Sequence, residues 1–197
     1  FHPTIHWMEL EHPKFQTSPT TIFPCSMSDL YGAVEFFGKE TGQEIINKFL
    51  QTVRANPQHI FVTLTKRAWV LEEFDLNIPN LWTGVTICNQ GETINAVHLA
   101  TLETHRVISF EPLLSKVEMP DAVWQRMGWI IVGGETGPKS HCRPMGIEWI
   151  SKIHEKCQKH GVPFFFKKWG NAMNYVPANP RLLHFYNSLA RVKEMPF

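Results

Sequence analysis

The sequence lacks the features that mark several large protein classes. No apolar run approaches the roughly 20 residues that a membrane-spanning helix needs. The four cysteines form neither a C-x-x-C pair nor a zinc-type pair, which favours reduced thiols in the cytoplasm. The P-loop, G-x-G-x-x-G, G-x-S-x-G and H-E-x-x-H motifs are all absent. The formal net charge of +1 gives no electrostatic footprint of a duplex nucleic-acid binder.

What the chain does contain is a repeated alternation of strand-like and helix-like segments. With 43% hydrophobic and 19% charged residues, its composition is that of a folded globular protein rather than a disordered one. Each of six apolar runs ends at a cluster of polar residues whose side chains can bind ligands or take part in catalysis. Near-continuous apolar runs are typical of parallel strands that are covered on both faces. The runs lie at 21–23, 59–62, 81–85, 106–108, 129–132 and 162–166.

This alternation fits two architectures, a doubly wound open sheet and a (β/α) barrel. An open sheet concentrates its chemistry near one switch point, whereas polar clusters follow every strand here. A full barrel needs about 250 residues, and this chain has 197. We therefore predict an α/β fold, a partial (β/α) TIM-like barrel with six visible parallel strands. One domain over 1–197 is expected, with an irregular segment over 1–20 and a tail containing a helix over 171–197.

Local patterns predict where some helices begin and which residues they bury. Thr41-Gly42-Gln43-Glu44 has the spacing of a capping box, which predicts a helix start there. Apolar residues at helical spacing over 147–157 predict another helix, which Gly161 ends. The helix predicted over 92–102 should turn three apolar residues inward, namely Ile94, Val97 and Leu102.

The strongest local signal for function is Gly133-Gly134-Glu135 at the end of the fifth run. Two glycines after a buried strand let a ligand or another backbone approach closely, and a carboxylate beside them can hold an amine or a hydroxyl. A tight turn with a solvated Glu135 explains the same residues. In the next loop, Arg143 either clamps a carboxylate or phosphate in bidentate fashion or belongs to an ordinary surface loop.

Polar residues at the other strand ends are further candidates, because parallel strands bring their C-terminal ends to one edge. Glu111 precedes a proline and either points into the barrel mouth or bonds a neighbouring backbone group. Lys167 follows three phenylalanines, so its amine should reach the mouth, whereas Lys168 should face outward. Helix capping or solvation is the structural alternative for the remaining candidates, Ser26, Asp29, Lys66 and Asn89.

Taken in order, the strand-end strings resemble one protein family. They lie at 26–30, 64–67, 109–114, 133–138, 143–145 and 163–170. Together they look like the bacteriophage-type uncharacterised family sometimes called the three-cysteine-motif proteins, and the resemblance covers roughly residues 1–170. Members of that family are regarded as radical-SAM-like and carry a cysteine triplet upstream of this region.

The resemblance implies a phage-related cytoplasmic enzyme that cleaves S-adenosylmethionine at a four-iron four-sulfur cluster and acts on an unknown substrate. It implies catalytic roles for Glu111, Glu135 and Lys167. It also implies a cofactor-facing set of Ser26, Asp29, Lys66, Asn89, Gly133 and Gly134, with Asp29 as the contact for the methionine amine. None of the cysteines in this chain replaces the triplet by spacing. No metal ligand is therefore expected within it, and the chain alone is expected to be inactive.

Two rival functions stay open at this stage. One is a barrel that binds a nucleic acid or a partner protein without catalysis, which seven tryptophans and cations such as Lys66 and Arg143 favour. Its affinity for single strands should fall steeply with salt. The other is a metal-independent hydrolase with Glu111 and Glu135 as acid and base, which requires the two carboxylates to face each other across the mouth.

Overall fold

A sheet of six parallel strands forms the centre of the protein. The computed structural model describes residues 4–26, 28–172 and 179–197. Each strand pairs with the next in chain order, so the sheet has no switch point. The sheet curls into a half-barrel, and the predicted partial TIM-like barrel is confirmed. The strands are β1 Thr21–Ile22, β2 Ile60–Thr65, β3 Leu81–Thr86, β4 His105–Phe110, β5 Trp129–Gly133 and β6 Phe164–Lys168.

Helices connect the strands and cover the convex face of the sheet. The α-helices are α1 Ala33–Phe37, α2 Lys39–Ala55, α3 Ile94–Thr101, α4 Asp121–Trp124, α5 Ile147–His160 and α6 Pro180–Ser188. Short 3-10 helices lie at Trp7–Phe15, Leu30–Gly32, Ala68–Glu73, Gln90–Glu92 and Leu189–Arg191. Within the described part of the chain, no helix is both long and apolar enough to cross a membrane.

Side chains alternate between the two faces of the sheet, because successive residues of a strand point to opposite sides. On the convex face, residues such as Phe61, Phe110 and Phe166 pack against the helices in the main core. The concave face carries a separate apolar cluster, formed by Val62, Trp82, Val107, Trp129 and Ile131. These side chains fill the lower part of the concave face. Polar residues one or two steps further along the strands therefore lie above them, at the C-terminal ends.

The C-terminal tail closes one edge of the half-barrel. Lys193 pairs with Phe165 in an antiparallel bridge, and the amide of Phe166 donates to the carbonyl of Val192 at 2.9 Å. The ring of Phe197 then packs against Trp82 and Trp129, with centroids 5.7 Å apart in both cases. The tail thus covers the unpaired side of β6 and the N-terminal end of the concave face. Of the predicted tail, residues 173–178 lie outside the described residues.

One local helix prediction is wrong, and another is wrong for two of its three residues. Helix α2 begins at Lys39 with Gly38 as its N-cap, so Thr41 lies inside the helix and does not cap it. On α3, Ile94 and Val97 are 56% and 40% exposed, whereas Leu102, just after the helix, is partly buried against the main core as predicted. The helix begins only at Ile94, and its buried residues are Asn95, Ala96 and Leu99. Periodicity alone had not located the start of the helix, and the buried stripe was therefore misplaced.

Other local predictions are confirmed or refined. Helix α5 ends where Gly161 adopts a left-handed conformation with φ 67°, a geometry that glycine adopts without strain. The N-terminal segment, predicted to be irregular, instead contains the 3-10 helix Trp7–Phe15. It is attached to the sheet where Nε2 of His59 lies 2.9 Å from the carbonyl oxygen of Pro13. Residues 1–3 of that segment lie outside the described residues.

Candidate active site at the C-terminal ends of the strands

Four side chains, three from the ends of the neighbouring strands β2, β3 and β4 and one from β6, meet above the apolar part of the concave face. Nζ of Lys66, just after β2, lies 3.3 Å from Sγ of Cys88, just after β3. That sulfur is 4.0 Å from the carbonyl oxygen of Glu111, just after β4. Nζ of Lys167, in β6, donates to Oε2 of Glu111 at 2.9 Å. We call Lys66, Cys88, Glu111 and Lys167 the rim cluster.

The rim cluster contains an ion pair between Glu111 and Lys167. Their side chains are 22% and 48% exposed, so the pair contributes little to stability and both groups are open to a ligand. Gly133, at the end of β5, leaves room for the carboxylate, because a Cβ atom there would lie 3.2 Å from Oε1 of Glu111. The carboxylate can hold an ammonium group, and the lysine can hold a carboxylate or a phosphate.

Cys88 belongs to the rim cluster, although the sequence indicated no role for it beyond that of a cysteine at a strand end. Burial raises the pKa of its thiol, and the neighbouring Lys66 opposes that rise. The backbone amide of Cys88 donates to Oε2 of Glu92 at 2.6 Å, which fixes the turn after β3. Strand alternation was the signal that could have found it, because Lys66 and Cys88 fall on the same face of adjacent strands.

A close backbone contact requires a glycine at position 134. A Cβ atom at Gly134 would lie 1.8 Å from the carbonyl oxygen of Trp169. Its amide donates to the carbonyl of Lys168 at 2.9 Å, and the amide of Asn171 donates to the carbonyl of Glu135 at 2.8 Å. The two chain segments therefore cross in direct backbone contact. Of the two close approaches predicted for this glycine pair, the structure shows the one with another backbone.

Glu135 is held by Arg143 at the edge of the site. Nε and the amide nitrogen of Arg143 donate to Oε2 at 3.0 and 2.8 Å, and its NH2 group donates to Oε1 at 2.5 Å. These hydrogen bonds lower the pKa of Glu135 to about 2. The carboxylate is therefore ionised at neutral pH and fully engaged within its own loop.

Asp29 and Asn89 are both occupied by protein groups. Oδ1 of Asp29 accepts from the amides of Tyr31 and Gly32, which caps a 3-10 helix. Oδ2 accepts from the Thr65 hydroxyl at 2.9 Å and from the NH1 group of Arg67 at 2.9 Å. Asn89 accepts from the amide of Gly91 at 2.9 Å and so caps the next 3-10 helix. The remaining predicted contact, Ser26, is exposed after β1.

The structure also bears on metals and on free positive charge at the rim. No group of three or more His, Cys, Asp or Glu side chains within the described ranges is arranged to hold a metal ion. Arg67 pairs with Asp29 and Glu35. Arg143 pairs with Glu135, as described above. Most of the positive charge predicted for this edge is therefore neutralised by neighbouring carboxylates.

The comparisons with known proteins concern nearly the whole chain. A search of the curated proteins returned no match, and neither did a search of the solved structures. A family model matches residues 2–190, a range that includes all six strands and the rim cluster. The chain therefore belongs to that family, which is described as Protein of unknown function (DUF5131).

Proposed function

We propose that the rim cluster binds S-adenosylmethionine and that the chain forms the cofactor-facing wall of a phage-related, radical-SAM-type enzyme. The observation that carries the proposal is the exposed ion pair of Glu111 and Lys167. An amino acid carries an ammonium and a carboxylate on one carbon atom, and this pair offers a complementary charge to each. The resemblance of the strand-end strings supplies the choice of S-adenosylmethionine among such zwitterions.

The residues present fit the amino-acid end of this cofactor. Glu111 would accept hydrogen bonds from the ammonium group, and Lys167 would donate to the carboxylate. Gly133 keeps the space beside Glu111 free of a side chain. Asp29 was the amine contact implied by the resemblance, but it already accepts hydrogen bonds from Tyr31, Gly32, Thr65, Lys66 and Arg67. The proposal therefore assigns the amine to Glu111.

The iron–sulfur cluster does not fit the described residues, because they contain no arrangement of metal-ligating side chains. In this proposal no described residue of the chain holds the cluster. When bound, S-adenosylmethionine supplies the hydrogen-abstracting chemistry of such enzymes. The role of this chain is to bind the cofactor and to orient it by its amino-acid end. The apolar cluster beneath the rim would exclude water.

The geometry gives less support to the rival functions. A hydrolase that uses Glu135 as acid or base needs a pKa near the working pH, whereas Arg143 lowers the pKa of Glu135 to about 2. A nucleic-acid surface needs free cations, whereas Arg67, Arg143 and Lys167 are each paired with a carboxylate. The remaining hypothesis is a rim that binds an amino acid, and it needs only the observed arrangement of Glu111 and Lys167.

The test is calorimetric titration of the chain with S-adenosylmethionine. S-adenosylhomocysteine keeps the amino-acid end and should bind, whereas methylthioadenosine lacks it and should not. Glu111→Gln and Lys167→Met should each weaken binding about 10- to 100-fold, the value of one charge-assisted hydrogen bond. Lys168→Met is the matched control and should bind like the wild type. Equal binding of both adenosine thioethers, or no binding at all, would overturn the assignment.

The radical part of the proposal has a test of its own. The full-length natural protein would be purified without oxygen and assayed for iron, sulfide and 5′-deoxyadenosine. Formation of 5′-deoxyadenosine that depends on Glu111 is expected. If a cluster-loaded preparation binds the cofactor and forms none, the radical reaction is wrong while the binding site stands.

A further inference from the structure

Lys66 and Cys88 stand out within the rim cluster because a lysine nitrogen lies directly against a thiol. The Nζ to Sγ distance is 3.3 Å, and the two residues follow adjacent parallel strands, β2 and β3. Lys66 is exposed, whereas Cys88 is only 4% exposed and lies just beneath it. The sulfur is therefore largely shielded from the solvent, while the lysine beside it is accessible.

Both backbones at this pair are held from two sides. The amide of Lys66 donates to the carboxylate of Asp29 at 3.3 Å, and its carbonyl accepts from the side chain of Asn95 at 3.4 Å. The amide of Cys88 donates to the carboxylate of Glu92 at 2.6 Å, and its carbonyl accepts from the amide of Leu114 at 2.8 Å. Little conformational freedom would have to be lost to bring nitrogen and sulfur together, because the surrounding chain already fixes them.

The other cations and thiols of the molecule offer an internal contrast. The described ion pairs include Lys167, Arg143 and Arg67, each bonded to a carboxylate, but they include none for Lys66. The sulfur of Cys88 is thus the nearest polar partner recorded for that ammonium group. Cys25 is exposed and Cys157 is buried in the main core, and neither has a lysine nitrogen within hydrogen-bond distance in the described structure.

We propose that Lys66 and Cys88 form a redox-sensitive covalent cross-link in which one oxygen atom bridges the lysine nitrogen and the cysteine sulfur. Dioxygen is the oxidant. The ammonium group of Lys66 first releases a proton to water. One N–H bond, the S–H bond and the O–O bond then break, an N–O and an O–S bond form, and the second oxygen atom leaves as water with the two hydrogens released. Nitrogen and sulfur are oxidised and both oxygen atoms are reduced. Excess small-molecule thiol would reduce the bridge and restore the amine and the thiol. Four of the added thiols are oxidised to two disulfides, and the bridging oxygen leaves as water.

The cross-link would act as a switch on the rim. It removes the positive charge of Lys66 and ties the end of β2 to the end of β3. A rim that selects its ligand by charge would then lose one cation in oxidising conditions. The reaction does not depend on the proposed cofactor, because it involves only the two protein side chains and dioxygen.

Peptide mass analysis after aerobic oxidation tests the cross-link directly. Trypsin would cut the reduced protein after Lys66, whereas in the linked form that site is blocked and cleavage falls after Arg67. The expected product joins peptide 55–67 to peptide 68–106, with the mass of both plus one oxygen atom and minus two hydrogen atoms. One of the four thiols should be lost to a thiol-specific reagent under denaturing conditions, and dithiothreitol should restore it.

Three variants make the result decisive. Cys88→Ser and Lys66→Met should each abolish the linked product, whereas Cys25→Ser should leave it unchanged. The proposal is overturned if Cys88 stays reduced, or if it is oxidised to sulfinic or sulfonic acid while Lys66 remains open to trypsin. These readouts need no ligand, so failure here would leave the cofactor proposal standing, and failure of cofactor binding would leave the cross-link standing.

Discussion

Substituting Gly134 by alanine is the sharpest test of how the rim is built. The added Cβ atom would lie 1.8 Å from the carbonyl oxygen of Trp169, 2.4 Å from its carbonyl carbon and 2.9 Å from the amide nitrogen of Gly170. All three are backbone atoms, so no side chain can rotate to make room. The segment after β6 would have to move away from the end of β5, and the hydrogen bond from Gly134 to Lys168 would be strained with it.

The size of the effect follows from the kind of contact. Overpacking a core costs about 1–3 kcal/mol, and a clash with fixed backbone belongs at the upper end, at about 3 kcal/mol. In a chain of this length each kcal/mol lowers the melting temperature by about 2–4 °C, so we expect a drop of about 6–12 °C. Thermal unfolding followed by tryptophan fluorescence measures it, since the chain has seven tryptophans.

Gly161→Ala is the matched control, because it separates steric clash from backbone strain. Gly161 has φ 67° and no atom within 4 Å of its would-be Cβ atom, so only the left-handed conformation is penalised. That penalty is about 1–2 kcal/mol. If Gly134→Ala melts within about 2 °C of the wild type, or above Gly161→Ala, the crossing of the two backbones is not as described and the reasoning fails.

Two pH-dependent predictions follow from the shifted pKa values. The pKa of Glu135 is lowered from 4.5 to about 2 by Arg143, so the stability that the pair contributes is present above pH 4.5 and lost as the pH falls towards 2. The difference in melting temperature between the wild type and Arg143→Gln should therefore shrink across that range, and a constant difference would contradict it. Burial raises the pKa of Tyr31 from 10 to about 12, so stability present below pH 10 is lost as the pH rises towards 12. Tyr31→Phe loses the contact with Thr63, about 1 kcal/mol at neutral pH, but should resist alkaline unfolding better than the wild type, as circular dichroism would show.

The strand pattern was readable from the sequence because a buried parallel strand is apolar along its whole length. All six predicted runs overlap the observed strands, and each strand ends within a few residues of its polar cluster. Helix starts were less predictable. Helix α2 begins at Lys39, directly after Gly38, whose φ of 84° is not helical. The conformation of this glycine sets the helix start, and the capping-box spacing that begins at Thr41 does not.

Part of the site followed from strand alternation alone. The prediction that Lys167 reaches the mouth is supported by its bond to Glu111, and the pairing of the two could not be read from residues 56 positions apart. The sequence also could not distinguish carboxylates that an arginine engages from those that no arginine engages. Asp29, Glu111 and Glu135 all follow strands, but only the positions of Arg67 and Arg143 show which two are engaged by arginine.

The sequence by itself determined the class of fold and the edge of the sheet at which polar residues gather, because both depend on local periodicity and on the direction of parallel strands. Only the tertiary structure decided which of those residues meet. It placed Lys66 against Cys88 and Glu111 against Lys167, and it used Gly134 for a backbone crossing. These outcomes depend on the curl of the sheet and on contacts distant along the chain, and side-chain pairing across a rim leaves no periodic trace in the sequence.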